Sequence, residues 1–183
     1  MSIYDTIVIG LGAMGSATLF QLAQRGVRVL GIDQYHPPHT LGSTHGETRI
    51  TRLAVGEGAA YVPLVRRSHE IWREIEAQTG VTLMHETGGY IIGPKESQVQ
   101  FHGQQDFVRK STQLAQQYDI PHVLQSAAQV RERLPTLVLE DHCHAFYEPT
   151  GGVVNPELAV EIQLKLAQQH GATVQAGERV IDY

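Results

Sequence analysis

The residues of this chain best placed to do chemistry are glycines. Gly10-Leu11-Gly12-Ala13-Met14-Gly15 is a G-x-G-x-x-G set between the β-branched run 6–9 and an apolar stretch beginning at Ala13. Each position has a physical task. Gly10 permits a sharp turn, Gly12 removes a Cβ so that backbone can approach a pyrophosphate, and Gly15 lets the following helix pack closely on the strand. The helix start adds free N–H groups and a partial positive charge for phosphate. Asp33 follows Gly15 by 18 residues, at the end of a second strand-like run. A carboxylate there accepts hydrogen bonds from both hydroxyls of an adenosine ribose and repels a 2′-phosphate. An adenine dinucleotide is therefore expected, held by Gly10, Gly12, Ala13, Met14, Gly15, Asp33 and the adjoining Gln34. The motif reads the ADP moiety shared by NAD and FAD and leaves both open.

A second cluster is Ser43-Thr44-His45-Gly46-Glu47-Thr48-Arg49-Ile50-Thr51-Arg52. A guanidinium suits bidentate recognition of a carboxylate. A positive charge beside a flavin ring would stabilise its reduced anion. Arg49 and Arg52 share a face if this segment is a helical turn and oppose each other if it is a strand. The plainer alternative is a solvated loop with two surface arginines.

The elements that must position these residues begin with strand, glycine turn, helix, strand over the first 33 residues. The strand 6–9 reads as buried on both faces. The helix 13–25 stops at Gly26, and the strand 27–32 ends at Asp33. A parallel pair with a crossover helix is the simplest arrangement. Residues 34–60 are too long for an ordinary connection and too rich in Pro and Gly for a helix, which marks them as functional. A helix is expected over 61–79, with Tyr61, Leu64, Val65, Ile71, Trp72 and Ile75 on its apolar face, Pro63 in its first turn and Gly80 at its end. Arg66 and Glu70 on the polar face have i,i+4 spacing. Strand pieces are expected at 83–84 and 90–92, a helix near 104–118, a strand at 122–124, a helix capped by Ser126 and ending near Leu134, and a strand at 143–147. Asn155-Pro156-Glu157 signals a helix start, Gly171 its end, and a last strand begins at Thr173 and runs toward Tyr183.

The chain has 183 residues, 42% hydrophobic and 18% charged, with a net charge of −5. That suffices for a real core and excludes a disordered chain. It lacks the basic footprint of a nucleic-acid binder, and no apolar run reaches the length of a membrane span. The N-terminus has no signal-peptide pattern, and the single cysteine, Cys143, permits no internal disulfide. A cytoplasmic protein is expected. Ten histidines with one cysteine do not make a structural zinc site, so no metal is expected at His36, His39, His142 or His144.

A resemblance adds to this. The glycine motif, Asp33, Pro37-Pro38-His39-Thr40, Gly42-Ser43-Thr44-His45-Gly46-Glu47-Thr48-Arg49, Gly56-Glu57-Gly58 and Tyr61-Val62-Pro63-Leu64 closely resemble the monomeric sarcosine oxidase and N-methyltryptophan oxidase family. These are D-amino-acid-oxidase-like FAD enzymes. The likeness continues through 88–94, Glu148-Pro149-Thr150-Gly151-Gly152 and Arg179-Val180. It implies FAD as cofactor and a small-molecule amine and oxygen as partners. A secondary amine of an N-methyl amino acid would be oxidised, giving the demethylated amino acid, an aldehyde and hydrogen peroxide. It also implies that Arg52 binds the substrate carboxylate, that His45 and Arg49 lie close to the flavin ring, that Ser43 and Thr44 contact the flavin, and that Arg179 and Val180 line the adenine side. The implied fold is α/β: a Rossmann-like FAD-binding domain, with part of an inserted α+β substrate domain. Residues 1–85 and 149–183 fall to the former and 86–148 to the latter. Family members are about twice as long, so a truncated chain, inactive on its own and monomeric when complete, is expected. Cys143 does not match the family's flavin-bearing cysteine. The family's histidine-aromatic pair after the second arginine is replaced by Leu53-Ala54-Val55, which suggests an amine other than sarcosine. An NAD-linked dehydrogenase or an inactive nucleotide-binding fragment are the alternatives.

Overall fold

A computed structural model describes residues 3–94, 100–101 and 104–182. In chain order the elements are β1 (Thr6–Ile9), α1 (Ala13–Gln24), β2 (Val29–Asp33), β3 (Arg49–Thr51), α2 (Tyr61–Thr79), β4 (Met84–His85), β5 (Gly89–Pro94), β6 (Gln100–Phe101), β7 (Gln104–Gln105), α3 (Phe107–Gln117), β8 (Val123–Ser126), α4 (Ala127–Arg133), β9 (Cys143–Glu148), β10 (Gly152–Val154), α5 (Pro156–Gln169) and β11 (Thr173–Ala176). The chain divides into two compact units, Met1–Arg49 with Val154–Tyr183, and Ile50–Val153.

The first unit is built on a parallel sheet of order β1-β2-β11. Thr6 is in register with Val29, and Thr173 with Leu30. Helices α1 and α5 pack against each other. They bury Leu19, Phe20 and Ala23 from one and Val160, Leu166 and Ala167 from the other. Helix α5 begins as its sequence requires: the Asn155 side chain accepts from the Leu158 N–H at 2.9 Å, and Pro156 takes the first turn, where a missing N–H costs nothing. Strand β1 is not covered on both faces within this unit, contrary to the sequence reading. It is one of the two edge strands of this sheet, and Ile7 and Ile9 remain more than half exposed. Strand β11 also ends sooner than expected. Gly177 has φ +79° and turns the chain off the sheet after Ala176, while Tyr183 lies outside the described residues.

The second unit has an antiparallel sheet of order β5-β9-β8, in which Ile91 faces Phe146 and Leu124 faces Phe146 from the other side. Helix α3 lays Val108, Ser111, Thr112 and Ala115, an i, i+3, i+4, i+7 stripe, into the core. There Phe146, Val62, Ala54, Ala115 and Ile120 form one buried cluster. Helix α4 starts in a full capping box between Ser126 and Gln129. Short strands β3, β10 and β4 pair in that order.

The compact units part at Arg49/Ile50 and Val153/Val154, whereas the boundaries read from sequence lie at 85/86 and 148/149, and the contact between Val62 and the α3–β9 core accounts for the first of these differences. Helix α2 shares its hydrophobic cluster with 107–148, so it belongs to that unit. Its buried face also differs. Val62 and Ile75 are buried, whereas Tyr61 and Leu64 are exposed. Trp72 is half-buried against the His69 ring, 5.5 Å between centroids. On the polar face Arg67, not Arg66, makes the ion pairs, with Glu70 and Glu74. Arg66 donates to the Tyr118 carbonyl instead. A register shift of one residue moves a helical side chain by about 100°, enough to exchange these roles.

Phe146 is fully buried at the centre of the second unit. Phe146→Ala should cost about 3–5 kcal/mol, read as a lowered urea midpoint with little change in slope.

Candidate functional site

The glycine turn is fixed by close approach. A Cβ on Gly15 would stand 1.7 Å from the Gly10 carbonyl oxygen, so no other residue fits there without moving the backbone. Gly10 itself has φ +85°, in the left-handed region that favours glycine. The Gly10 N–H donates to the Ile32 carbonyl at 2.8 Å, tying the turn to the end of β2. Helix α1 then starts from Gly12 with no side-chain cap, and Met14 in its first turn is 84% exposed. Thr44 reaches the same place: its Oγ1 accepts from the Ala13 N–H at 3.2 Å.

Asp33 is 7% exposed at the end of β2. Its Oδ2 accepts from the Leu11 N–H and its Oδ1 from the Tyr35 N–H, both at 2.8 Å. The His39 ring nitrogen Nε2 lies 3.6 Å from Oδ1. The backbone carbonyl of Asp33 accepts from the Glu178 N–H at 3.0 Å, and the Tyr35 carbonyl accepts from the Gly177 N–H. Arg179, exposed, and Val180, half-buried, follow directly from this anchored pair. Gln34 is exposed beside Asp33. A carboxylate accepts about four hydrogen bonds, so two amides leave room for ribose hydroxyls.

Together these features fit the ADP half of a dinucleotide. The start of α1 has no bond from its N-cap side chain, although Thr44 takes the Ala13 N–H; Gly10 and Gly12 in the turn carry no Cβ; and a pre-oriented acid stands at the adjacent strand end.

The loop 43–49 is held by its own backbone and by a residue the sequence reading treated only as part of a helix start. Glu157, in the first turn of α5, accepts from the N–H groups of Gly46 and Glu47. Burial pushes its pKa up, but bonds to the backbone N–H groups of Glu157, Glu47 and Gly46, with the nearby His45, hold it below the usual carboxylate range. His45 is half-buried and Ser43 exposed. The Arg49 guanidinium folds back onto the carbonyls of Thr48 and Ser43. The backbone of Arg49–Thr51 is a strand, not a helical turn.

Arg52 lies in the second unit, at a cavity of about 600 Å³. Apolar walls come from Tyr90, Ile91, Phe107, Val108 and Phe146, with Asp106 and Glu148 also on the lining. Arg52 Nη2 donates to both carboxylate oxygens of Glu57, at 2.7 and 2.9 Å, and its guanidinium carbon sits 5.5 Å from the Phe107 ring centre. Its Nε is buried with no hydrogen-bond partner among the described residues. Thr51, one residue before, has its Oγ1 2.7 Å from His69 Nε2. Burial lowers the His69 pKa. Glu148 opposes this, Arg73 adds to it and Glu86 opposes it.

Glu57, Glu148 and Glu157 were given no role from sequence. Glu148 carried a signal: an acid ending the apolar strand Cys143–Glu148 must be hydrogen-bonded if buried, and it is 1% exposed. Among the described residues no three His, Cys, Asp or Glu side chains gather as metal ligands, and no helix is long and apolar enough to cross a membrane.

The model of the FAD dependent oxidoreductase family matches residues 5–183, and the chain belongs to that family. It is similar to a monomeric sarcosine oxidase of Bacillus sp. (strain B-0618), 38% identical over 98% of this chain and 44% of that one. It is also similar to an N-methyl-L-tryptophan oxidase of Yersinia pestis, 41% identical over 93% of this chain and 44% of that one. Among solved structures, NikD, an unusual amino acid oxidase essential for nikkomycin biosynthesis, superposes with a TM-score of 0.80 at 27% identity, over 95% of this chain and 43% of that one. The chain thus spans under half the length of the curated relatives it matches.

Two outcomes follow. Gly15→Ala should destabilise the protein by about 1–3 kcal/mol through overpacking, seen as a lower unfolding midpoint, and should weaken dinucleotide binding. Because His69 takes up its proton less readily when folded, stability is full above its ordinary pKa of 6.5 and declines as pH falls below it. His69→Gln should flatten this acid-side decline in melting temperature against pH.

Proposed function

We propose that this chain forms the dinucleotide-binding and substrate-recognition part of an FAD-dependent amine oxidase. The substrate is a secondary amine of an N-methyl amino acid, and the products are the demethylated amino acid, an aldehyde and hydrogen peroxide. The observation that carries the reading is the glycine turn at the start of α1, where Gly10 and Gly12 carry no Cβ and the N-cap residue makes no side-chain bond, with Asp33 already oriented by the amides of Leu11 and Tyr35. FAD, when bound, supplies the ring that accepts the hydride and returns the electrons to oxygen.

The chain's own residues have defined tasks in this reading. The turn and helix start at 12–15 meet the diphosphate, with Thr44 holding the Ala13 N–H, and Asp33, with Gln34 beside it, meets the ribose. Ser43, Thr44, His45 and Arg49 face the flavin end, while Arg179 and Val180 line the adenine side. Met1–Arg49 with Val154–Tyr183 acts as the FAD-binding unit and Ile50–Val153 as the substrate unit. Arg52 receives the substrate carboxylate. Its support is a single guanidinium on an apolar cavity, with one nitrogen buried and unpaired and another on Glu57. The Phe107, Tyr90 and Ile91 walls favour an amino acid with more apolar surface than sarcosine. The names of the sarcosine and N-methyl-L-tryptophan oxidases support the same substrate class. A small-molecule amine and oxygen are the partners, and a monomer in the cytoplasm is the setting.

The whole protein should be yellow and release peroxide with N-methyl amino acids. Colourless protein that binds NAD would overturn the reading. Arg52→Ala should raise KM for the amino acid about tenfold to a hundredfold, because a charged hydrogen-bond partner is lost. An unchanged KM would show that Arg52 does not hold the substrate.

A further inference from the structure

We infer that Glu148 is a positioning residue that aims Arg52, and that it does so as a carboxylate. The inference rests on the reading of Arg52 as the substrate-carboxylate group. Glu148 ends β9, on the wall of the cavity, at 1% exposure. Its Oε1 accepts from the Leu53 N–H at 2.7 Å and from the Thr150 hydroxyl at 3.1 Å, and its Oε2 accepts from the Ala54 N–H at 2.9 Å. These amides belong to the two residues after Arg52. On the other side, Thr51 is held through His69. Glu148 thus holds the backbone just after Arg52, His69 holds the Thr51 side chain just before it, and the Arg52 guanidinium between them is paired with Glu57 while its Nε has no partner among the described residues.

The donor set explains why an acid stands there. Two successive backbone N–H groups point at one side chain, and each needs an acceptor. A carboxylate offers an oxygen to each. Held as Glu148 is, with Oε1 on Leu53 and Oε2 on Ala54, a carboxamide turns its NH2 toward one of the two N–H groups. To serve both with its single oxygen, as Glu76 does for Leu83 and Met84, glutamine has to shift, and the two amides after Arg52 have to shift with it. The consequence reaches Arg52 through the chain. A guanidinium recognises a carboxylate through a planar fork, so a tilt of the backbone that carries it weakens the pair without touching the reacting carbon.

The test uses the full-length holoenzyme, with an N-methyl amino acid and its methyl ester as paired substrates. The ester keeps the amine and side chain but presents no anion. Glu148→Gln should raise KM for the acid about tenfold, leave kcat within about twofold, and leave KM for the ester unchanged. A merely structural role would shift both substrates alike or lower kcat for both. Equal shifts, or no shift for the acid, would overturn the inference. Should Glu148→Gln not fold, Thr150→Val decides, since it removes only the hydroxyl on Oε1. A rise of about two- to threefold in KM confined to the acid supports the role, and equal KM changes overturn it. A wild-type protein without flavin or peroxide production would overturn the oxidase reading and this inference together. An active wild type whose variants keep the acid-to-ester KM ratio would overturn this inference alone.

Discussion

The Gly10 carbonyl oxygen occupies the place where a side chain at residue 15 would begin, and the first unit depends on that contact. It lets helix α1 start directly against the end of β1, with its N–H groups and dipole directed at the turn. In the same turn the Leu11 amide donates to the Asp33 carboxylate, so the helix start and the acid meet at one short segment. Phosphate recognition at helix starts relies on donors that are in place before the ligand arrives. Here the donors are placed by packing that tolerates no Cβ.

A second theme runs through both units. Loops and the ends of short strands are held by acidic side chains that accept backbone N–H groups. Asp33 takes Leu11 and Tyr35, Glu157 takes Gly46 and Glu47, Glu148 takes Leu53 and Ala54, and Glu76 takes Leu83 and Met84 through a single oxygen. Loops cannot satisfy their amides by a ladder, and charge-assisted acceptors are stronger than neutral ones. Three of the four, Asp33, Glu157 and Glu148, hold segments that carry residues proposed for cofactor or substrate; Glu76 holds the entry to β4. Function-bearing loops are thus held in place without surrendering their backbone to helix or sheet.

Much of this was legible in the chain. The glycine turn with its acid, the Asn155 cap followed by proline, the Ser126 cap and the full span of α2 all follow from local rules, because each is decided within a few residues. Errors arose where a choice between nearly equivalent neighbours had to be made. Tyr61 and Leu64 fit an apolar stripe as well as Val62 does, and Arg66 can pair along a helix as well as Arg67. The tertiary surroundings, Phe146 and α3 on one side and Tyr118 on the other, chose between them.

The sequence by itself determined the parallel strand–helix–strand start, the helix boundaries and the chemical types available near a dinucleotide. Glycine geometry, capping and periodicity act over distances shorter than a helical turn or two. Only the tertiary structure decided that helix α2 shares a core with residues 107–148, that Arg52 is faced by Glu57, and that Glu148 bonds to residues more than ninety positions earlier in the chain. Those partners are brought together by burial, which spacing along the chain does not encode.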